Sequence, residues 1–259
     1  MYHFFGPAPP TGDPERMFVE VEALMRHVTA LYRDGWRPLD LDGYLAALDG
    51  GVTPRRSFLV TIDDAHASVP LLAAPRLAAA GVPSVLFVPT ELVGRTVTWE
   101  PAYAGERLAD AEALRSVAAT GMELGVHGAD HARMLGMGAE ELERQVARAR
   151  DALAEITGQP PRAFAYPYGT HDGAAREAVA AAGFDVAFAV AREHGRFAVD
   201  RVGVSGADTP RRVRGKVSLG YRAASRAAGR LHRPRHAVRD SVHALRRRLG
   251  ATSVATPAR

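Results

Sequence analysis

The sequence predicts an α/β fold in which a parallel sheet lies under helices, and three observations predict it. From Ser57 onward, short apolar runs alternate with segments of helix length. The runs are mainly apolar rather than alternating, as strands covered on both faces are. Residues able to bind a metal or move a proton recur directly after those runs. Five or more such units in about 150 residues suit a barrel or a doubly wound sheet.

Taken in order, "MYHFF" reads as a first strand and "GPAPPTGDP" as a loop, by its proline and glycine content. Pro14 to Arg33 is predicted helical, because Phe18, Val21, Leu24, Met25, Val28 and Leu31 share one face. Gly35 stops it. "LDGYLAALDGG" is a shorter helix closed by glycine. The rhythm then begins. "SFLVTI" is a strand and Pro70 to Ala80 a helix; "SVLFVP" is a strand and Arg107 to Ala119 a helix. "MELGVH" is a strand and Ala139 to Ile156 a long helix; "AFAYP" is a strand and Gly173 to Ala182 a helix. "DVAFAV" and "RVGVS" are the last strands.

A length of 259 residues fits one large domain, or a domain with a tail. The absence of cysteine excludes disulfides and thiolate metal sites. No run of about 18 apolar residues occurs, so no membrane span is expected. The first ten residues lack the basic flank and apolar segment of a signal peptide, so a cytoplasmic placement is the expectation. Charge is split. Residues 211–259 hold 14 Lys and Arg against Asp240 alone, a net of +13, so the preceding 210 residues carry −9. Val238, Val242, Leu245 and Leu249 fall on one face of a predicted tail helix with arginines around them. This reads as a helix docked on the body or, more sharply, as a peripheral contact with an anionic membrane surface. No aromatic interleaving or known motif supports nucleic-acid binding.

In parallel α/β folds ligands sit where strands end. "SFLVTI" delivers Asp63, Asp64 and His66 there; "MELGV" delivers His127 and then His131; "AFA" delivers Tyr166, Pro167, Tyr168 and Gly169. Each group alone has a plain structural reading: an Asp pair after a strand caps helices, and "PYG" makes turns. Together they are more specific. Two neutral imidazoles four residues apart and one carboxylate make a three-ligand divalent site with a position open to water. Adjacent residues leaving a strand point in different directions, so one aspartate can bind the ion while the other stays free as a base. That arrangement is suited to hydrolysis.

On these residues the chain resembles the polysaccharide deacetylases, the NodB-homology type of carbohydrate esterase. The family's T-F-D-D-G appears as "TIDDA", its H-S/T-x-x-H as "HGADH" and its R-x-P-Y-G as "AYPYG". The resemblance runs from about Met1 to about Val204, so residues 1–210 are expected to form the deacetylase domain and 211–259 a basic helical tail. It implies a distorted (β/α) barrel, TIM-like with seven strands. It implies Asp63 as catalytic base, and Asp64, His127 and His131 as ligands of zinc or a similar divalent ion. The Tyr168 main-chain N–H would hold the oxyanion, and His66, Tyr166, Pro167 and Gly169 would line the substrate groove. The implied reaction removes acetyl from an N-acetylated sugar in a glycan, glycolipid or small glycoside.

The chain departs from the pattern in several places. Ala65 replaces the motif glycine, Gly128 replaces the Ser or Thr that braces the second motif, and Ala165 stands where many members carry an arginine that positions the base. The late Leu-x-His that supplies the general acid is missing, leaving His194 and His171 as the nearest candidates. The fourth-motif tryptophan is missing too, the only tryptophans being Trp36 and Trp99. Two other readings follow. One is a glycan- or membrane-binding scaffold that has lost catalysis; the other is a metal-dependent amidohydrolase that removes a group other than acetyl.

Overall fold

A computed structural model of the chain describes residues 1–10, 12–50, 55–190 and 195–218. One compact unit spans Met1–Gly215. Of the second, Lys216–Arg259, only the first three residues are described, so the expected tail helix lies outside the described residues, as does His194. Among the described residues no helix is long and apolar enough to cross a membrane.

Six strands form one parallel sheet: β5 (Val60–Ile62), β6 (Ser84–Val88), β7 (Glu123–Val126), β8 (Ala163–Ala165), β9 (Val186–Ala189) and β10 (Val199–Asp200), paired in that order. Before them come β1 (Phe4–Phe5), paired with β2 (Phe18–Val19), and β3 (Arg37–Pro38), paired with β4 (Ser57–Phe58). The helices are α1 (Val21–Arg33), α2 (Leu41–Asp49), α3 (Ala74–Ala79), α4 (Ala111–Ala119), α5 (Ala139–Glu143), α6 (Ala149–Thr157), α7 (Gly173–Ala181) and α8 (Pro210–Val217). Wider π turns occupy Val69–Ala73 ahead of α3 and Arg144–Arg148 between α5 and α6.

Side-chain alternation divides the core. Val85, Phe87, Ala163, Ala165, Val186 and Phe188 face inward and pack on Leu41 and Leu45 of α2. Their neighbours Leu86, Val88, Phe164, Ala187 and Ala189 face outward, into a larger cluster with helix residues such as Leu24, Leu77, Leu114 and Leu153. Both faces are therefore buried, which is why the central strands carry apolar residues on both faces. Gly125 makes the inner packing possible: a Cβ there would lie 2.6 Å from the Phe87 ring and 2.8 Å from the Ala163 carbonyl oxygen.

The resemblance implies seven strands; among the described residues the sheet has six. Its two edges are joined by Met1 and Tyr2. The Tyr2 N–H donates to Thr61 O and its carbonyl accepts from Asp63 N–H, both at 2.9 Å. The Met1 ammonium donates to Val202 O at 3.0 Å, and Met1 O accepts from Val204 N–H at 2.9 Å. These contacts close the curl with one bridging residue, Tyr2 to Ile62, rather than with a further strand of the sheet.

Three element boundaries also differ from expectation. α1 begins at Val21, not Pro14, because the Asp13 carboxylate takes the N–H groups of Met17 (2.8 Å) and Phe18 (3.0 Å) and an extended Phe18–Val19 pairs with β1. Phe18 then packs with Phe4 and Tyr103 instead of with the helix face. α4 starts at Ala111, where the Asp110 side chain caps Ala113 N–H at 2.9 Å. The last strand is Val199–Asp200, upstream of "RVGVS".

Candidate active site

All six strands are parallel, so their C-terminal exits meet at one rim, where four predicted side chains converge. Asp63 leaves β5 in line with the inward face. Asp64 (φ 71°) and Ala65 (φ 50°) then turn through the left-handed region. Each such non-glycine residue costs about 1–2 kcal/mol. Ala65, standing for the motif glycine, is the smallest side chain that can take this strain, and its carbonyl accepts from Ala109 N–H at 2.8 Å.

His127 leaves β7, and its Nδ1 lies 2.8 Å from Ala165 O. A carbonyl only accepts, so Nδ1 carries the proton and the neutral ring turns the Nε2 lone pair toward the aspartates. That Nε2 is 3.3 Å from Asp64 Oδ1 and 3.9 Å from Asp63 Oδ2. His131, itself at φ 63°, brings Nε2 to 3.2 Å from the same Asp64 oxygen. Among the described residues the buried Asp64 Oδ1 has no hydrogen-bond partner. One oxygen and two imidazole nitrogens, all within 4.8 Å of one another and all buried, fit a divalent cation between them. Lone pairs facing each other this closely repel unless a cation or a proton intervenes.

The electrostatics agree. Burial pushes the Asp64 pKa up, but His131 and His127 outweigh it and hold the carboxyl well below the usual range. Burial lowers the His127 pKa, yet the charges of Asp63 and Asp64 reverse the sign and raise it. For His131 burial prevails over the pull of Asp64, and the pKa is lowered.

Asp63 is held from a direction the sequence did not suggest. Arg201, at the exit of β10, donates through Nη1 to Oδ1 at 2.6 Å and through Nη2 to Oδ2 at 2.8 Å. Both side chains are about 95% buried, at 5% and 4% exposure. The guanidinium lies 5.5 Å from the Phe87 ring centroid and 5.8 Å from that of Phe188. It takes up the work expected of an arginine at 165, where Ala165 instead supplies the carbonyl for His127. Burial pushes the Asp63 pKa up, and the Arg201 charge and hydrogen bonds, with His127, bring it below the ordinary value.

His3 is the second residue that sequence reasoning missed. Burial lowers its pKa most, Asp64 and Asp63 pull it up, and Arg201 and His127 push it down, so its ring lies within the field of the whole site. It follows Tyr2, whose main chain pairs with the segment that carries Asp63.

Trp99 is the third. It stacks on His131 with centroids 4.1 Å apart and planes at 22°, while Tyr168 meets the same ring edge-on at 4.7 Å. Trp99 rides on the excursion between β6 and α4. That excursion is folded on itself by the Thr96–Arg107 bridge and fastened to the β5 exit by the His66–Leu108 bridge.

His66 belongs to that fastening. Its Nδ1 accepts from Ser68 N–H (3.2 Å) and sits 2.7 Å from the Ser68 hydroxyl, and its Nε2 is 3.2 Å from Glu106. Tyr166 is fully buried, with its hydroxyl donating to Phe197 O at 3.1 Å. Tyr168, at φ 58° and 38% exposed, lies under the Arg133 guanidinium at 3.9 Å. Pro167 is buried, and Gly169 (φ 66°) is required because a Cβ there would strike Val190 at 2.5 Å. His171 packs on the Tyr166 ring at 4.4 Å.

The second motif is braced by Gln145, from the π turn before α6. Its Oε1 accepts from Ala129 N–H at 2.8 Å, and its Nε2 donates to Asp130 (2.6 Å) and Glu141 (2.9 Å). Arg144 ties Asp130, Glu141 and Glu91 together beside it.

Comparisons with known proteins place the fold and the family. The structure of IcaB from Ammonifex degensii superposes with a TM-score of 0.70 at 26% identity, over 83% of this chain and 94% of that one. The Streptococcus pyogenes deacetylase PplD, in complex with acetate, gives 0.71 at 16% identity over 84% and 96%. A de-N-acetylase from Aggregatibacter actinomycetemcomitans gives 0.67 at 17% over 83% and 97%. At the lower identities the likeness is one of fold. No curated protein matches the chain. The polysaccharide deacetylase family model matches residues 50–187, from the strand before Asp63 to the strand after the "PYG" turn, and the chain belongs to that family.

Proposed function

We propose that this chain is a metal-dependent hydrolase that removes the N-acetyl group from an N-acetylated sugar. One observation carries the reading: Asp64, His127 and His131 converge as a ligand set while Asp63, beside them, is gripped by Arg201 and kept out of it. Zinc or a similar divalent ion suits two imidazoles and a carboxylate. Such an ion supplies Lewis acidity and makes water acidic enough to attack near neutral pH.

The chain's own groups do the rest. Asp63, ionised and oriented by Arg201, takes a proton from the attacking water. The water oxygen bonds to the acetamide carbon, and the developing oxyanion is met by the Tyr168 main-chain N–H. When the C–N bond breaks, the sugar nitrogen keeps the bonding electrons and needs a proton, which we assign to His3. Acetic acid and a free amine leave, the acid losing its proton to solvent as acetate, and the proton held by Asp63 passes to the neutral His3, which restores both groups. Trp99 and Tyr168, on either side of His131, offer apolar faces to the sugar and its acetyl methyl.

The test pairs two assays on purified protein loaded with zinc and desalted: metal content by elemental analysis, and acetate release from N-acetylglucosamine oligomers. About one ion per chain, lost in His127→Ala together with acetate release, is the expected result. A chain that retains no ion, or one that retains it and releases other acyl groups but no acetate, overturns the reading.

A further inference from the structure

We propose that Gln145 is a positioning residue for the metal ligand His131, acting through the turn at Gly128–Asp130. The inference rests on the metal reading above. A metal-bound imidazole is ordinarily oriented by a hydrogen bond at its second nitrogen. His127 has one, to Ala165 O. His131 does not: among the described residues its buried Nδ1 finds no partner. Its orientation therefore comes from the backbone that carries it, at φ 63°, and from the rings of Trp99 and Tyr168.

That backbone is fixed by one fully buried carboxamide. Gln145 holds Ala129 N–H on one side and the Asp130 carboxylate on the other, so two consecutive residues of the turn are tied to a single side chain. Gly128 is shaped to it: at φ 73°, a Cβ would lie 2.8 Å from Gln145 Oε1 and 3.4 Å from Pro167 Cγ. The turn is thus clamped between Gln145 and Pro167. Glycine at 128 and glutamine at 145 form one device, which takes over from a Ser or Thr side chain in the turn itself. The π turn at Arg144–Arg148 belongs to it, since the extra residue per turn is a feature recurrent at functional sites.

The test measures zinc affinity by competition with a chromophoric chelator, for the wild type, Gln145→Ala, Gln145→Met, Gly128→Ala and the Gly128→Ala/Gln145→Ala pair. Thermal unfolding without metal separates loss of folding from loss of the site. Gln145→Ala and Gln145→Met should each weaken zinc about 10–100-fold, the range for outer partners of metal ligands. Gly128→Ala should weaken it in wild type and by a smaller factor in the Gln145→Ala background, because the clash with Oε1 is gone while the strain of a side chain at φ 73° remains. Folded Gln145 variants that bind zinc as tightly as wild type, or Gly128→Ala effects that simply multiply with those of Gln145→Ala, overturn the proposal while the metal reading stands. A wild type that binds no zinc overturns both. If Gln145→Ala fails to fold, the volume-matched Gln145→Met decides.

Discussion

Arg201 grips Asp63 through both carboxylate oxygens, at 2.6 and 2.8 Å, although 138 residues separate them in the chain. The relationship does two things at once. It uses one lone pair on each oxygen, which holds Asp63 back from the cation site while leaving the others to accept a proton, and it keeps a buried carboxylate ionised. A planar guanidinium can do both because its fork matches a carboxylate.

The first prediction concerns pH. Burial raises the Asp63 pKa and Arg201 is the largest influence opposing it. Because the folded pKa is depressed, the stability Asp63 contributes is present above its unfolded value and is lost as pH falls through the folded one. Arg201→Met leaves burial uncompensated, so the pKa rises. The acid limb of kcat/KM should move to higher pH, with a larger loss at pH 5 than at pH 8. Arg201→Lys should move it less, since charge remains while the fork is lost. Unfolding should show a cost of about 3–5 kcal/mol for Arg201→Met, because a carboxylate is left unpaired in the interior. An unmoved acid limb would show that Asp63 does not limit the rate.

The two aspartates should separate by assay. Asp64→Asn removes the charged ligand and should abolish retention of zinc by the desalted protein. Asp63→Asn should keep about one ion per chain yet lower kcat by about a hundredfold or more, the usual worth of a general base. Zinc lost from Asp63→Asn and kept by Asp64→Asn would exchange the two assignments.

What the sequence revealed here, and what it hid, follows from where the strands end. Asp63, Asp64, His127 and His131 were readable because β5 and β7 are short, mainly apolar runs whose exits are plain. Arg201 was hidden by a shift of two residues. With the last strand read as "RVGVS", it stands at the entry end; with β10 ending at Asp200, it stands at the exit, on the rim. His3 was hidden because Tyr2 pairs with residues 61–63, a contact local sequence cannot announce. Trp99 sits on an irregular excursion with no period to read, and Gln145 looks like any polar residue of a long helix until Gly128 is seen against it.

His3 supplies the next prediction. His3→Gln keeps a polar side chain of similar size but cannot carry a proton to the departing amine. Zinc content should stay near one per chain, and kcat on an N-acetylated sugar should fall about 10²–10⁴-fold. An activated ester, whose leaving group needs no proton, should lose far less. Equal losses on both substrates would assign His3 to shaping the site rather than to proton transfer.

The last prediction tests the barrel interior beneath the candidate metal ligands. Gly125 and His127 share the inward face of β7, and the space left by Gly125 is filled by the Phe87 ring. Gly125→Ala places a methyl 2.6 Å from that ring and 2.8 Å from the Ala163 carbonyl, which β8 cannot move without moving Ala165, the acceptor for His127. Overpacking of this kind costs about 1–3 kcal/mol, with about 2–4 °C of Tm lost per kcal/mol in a domain of this size. Phe87→Ala in the same chain should relieve the clash, so the pair should be more stable than the sum of the two single changes predicts. Because the strain runs into the His127–Ala165 contact, Gly125→Ala should also weaken zinc binding, and Phe87→Ala should partly restore it. Strict additivity in Tm would mean that the ring and the glycine do not share this space.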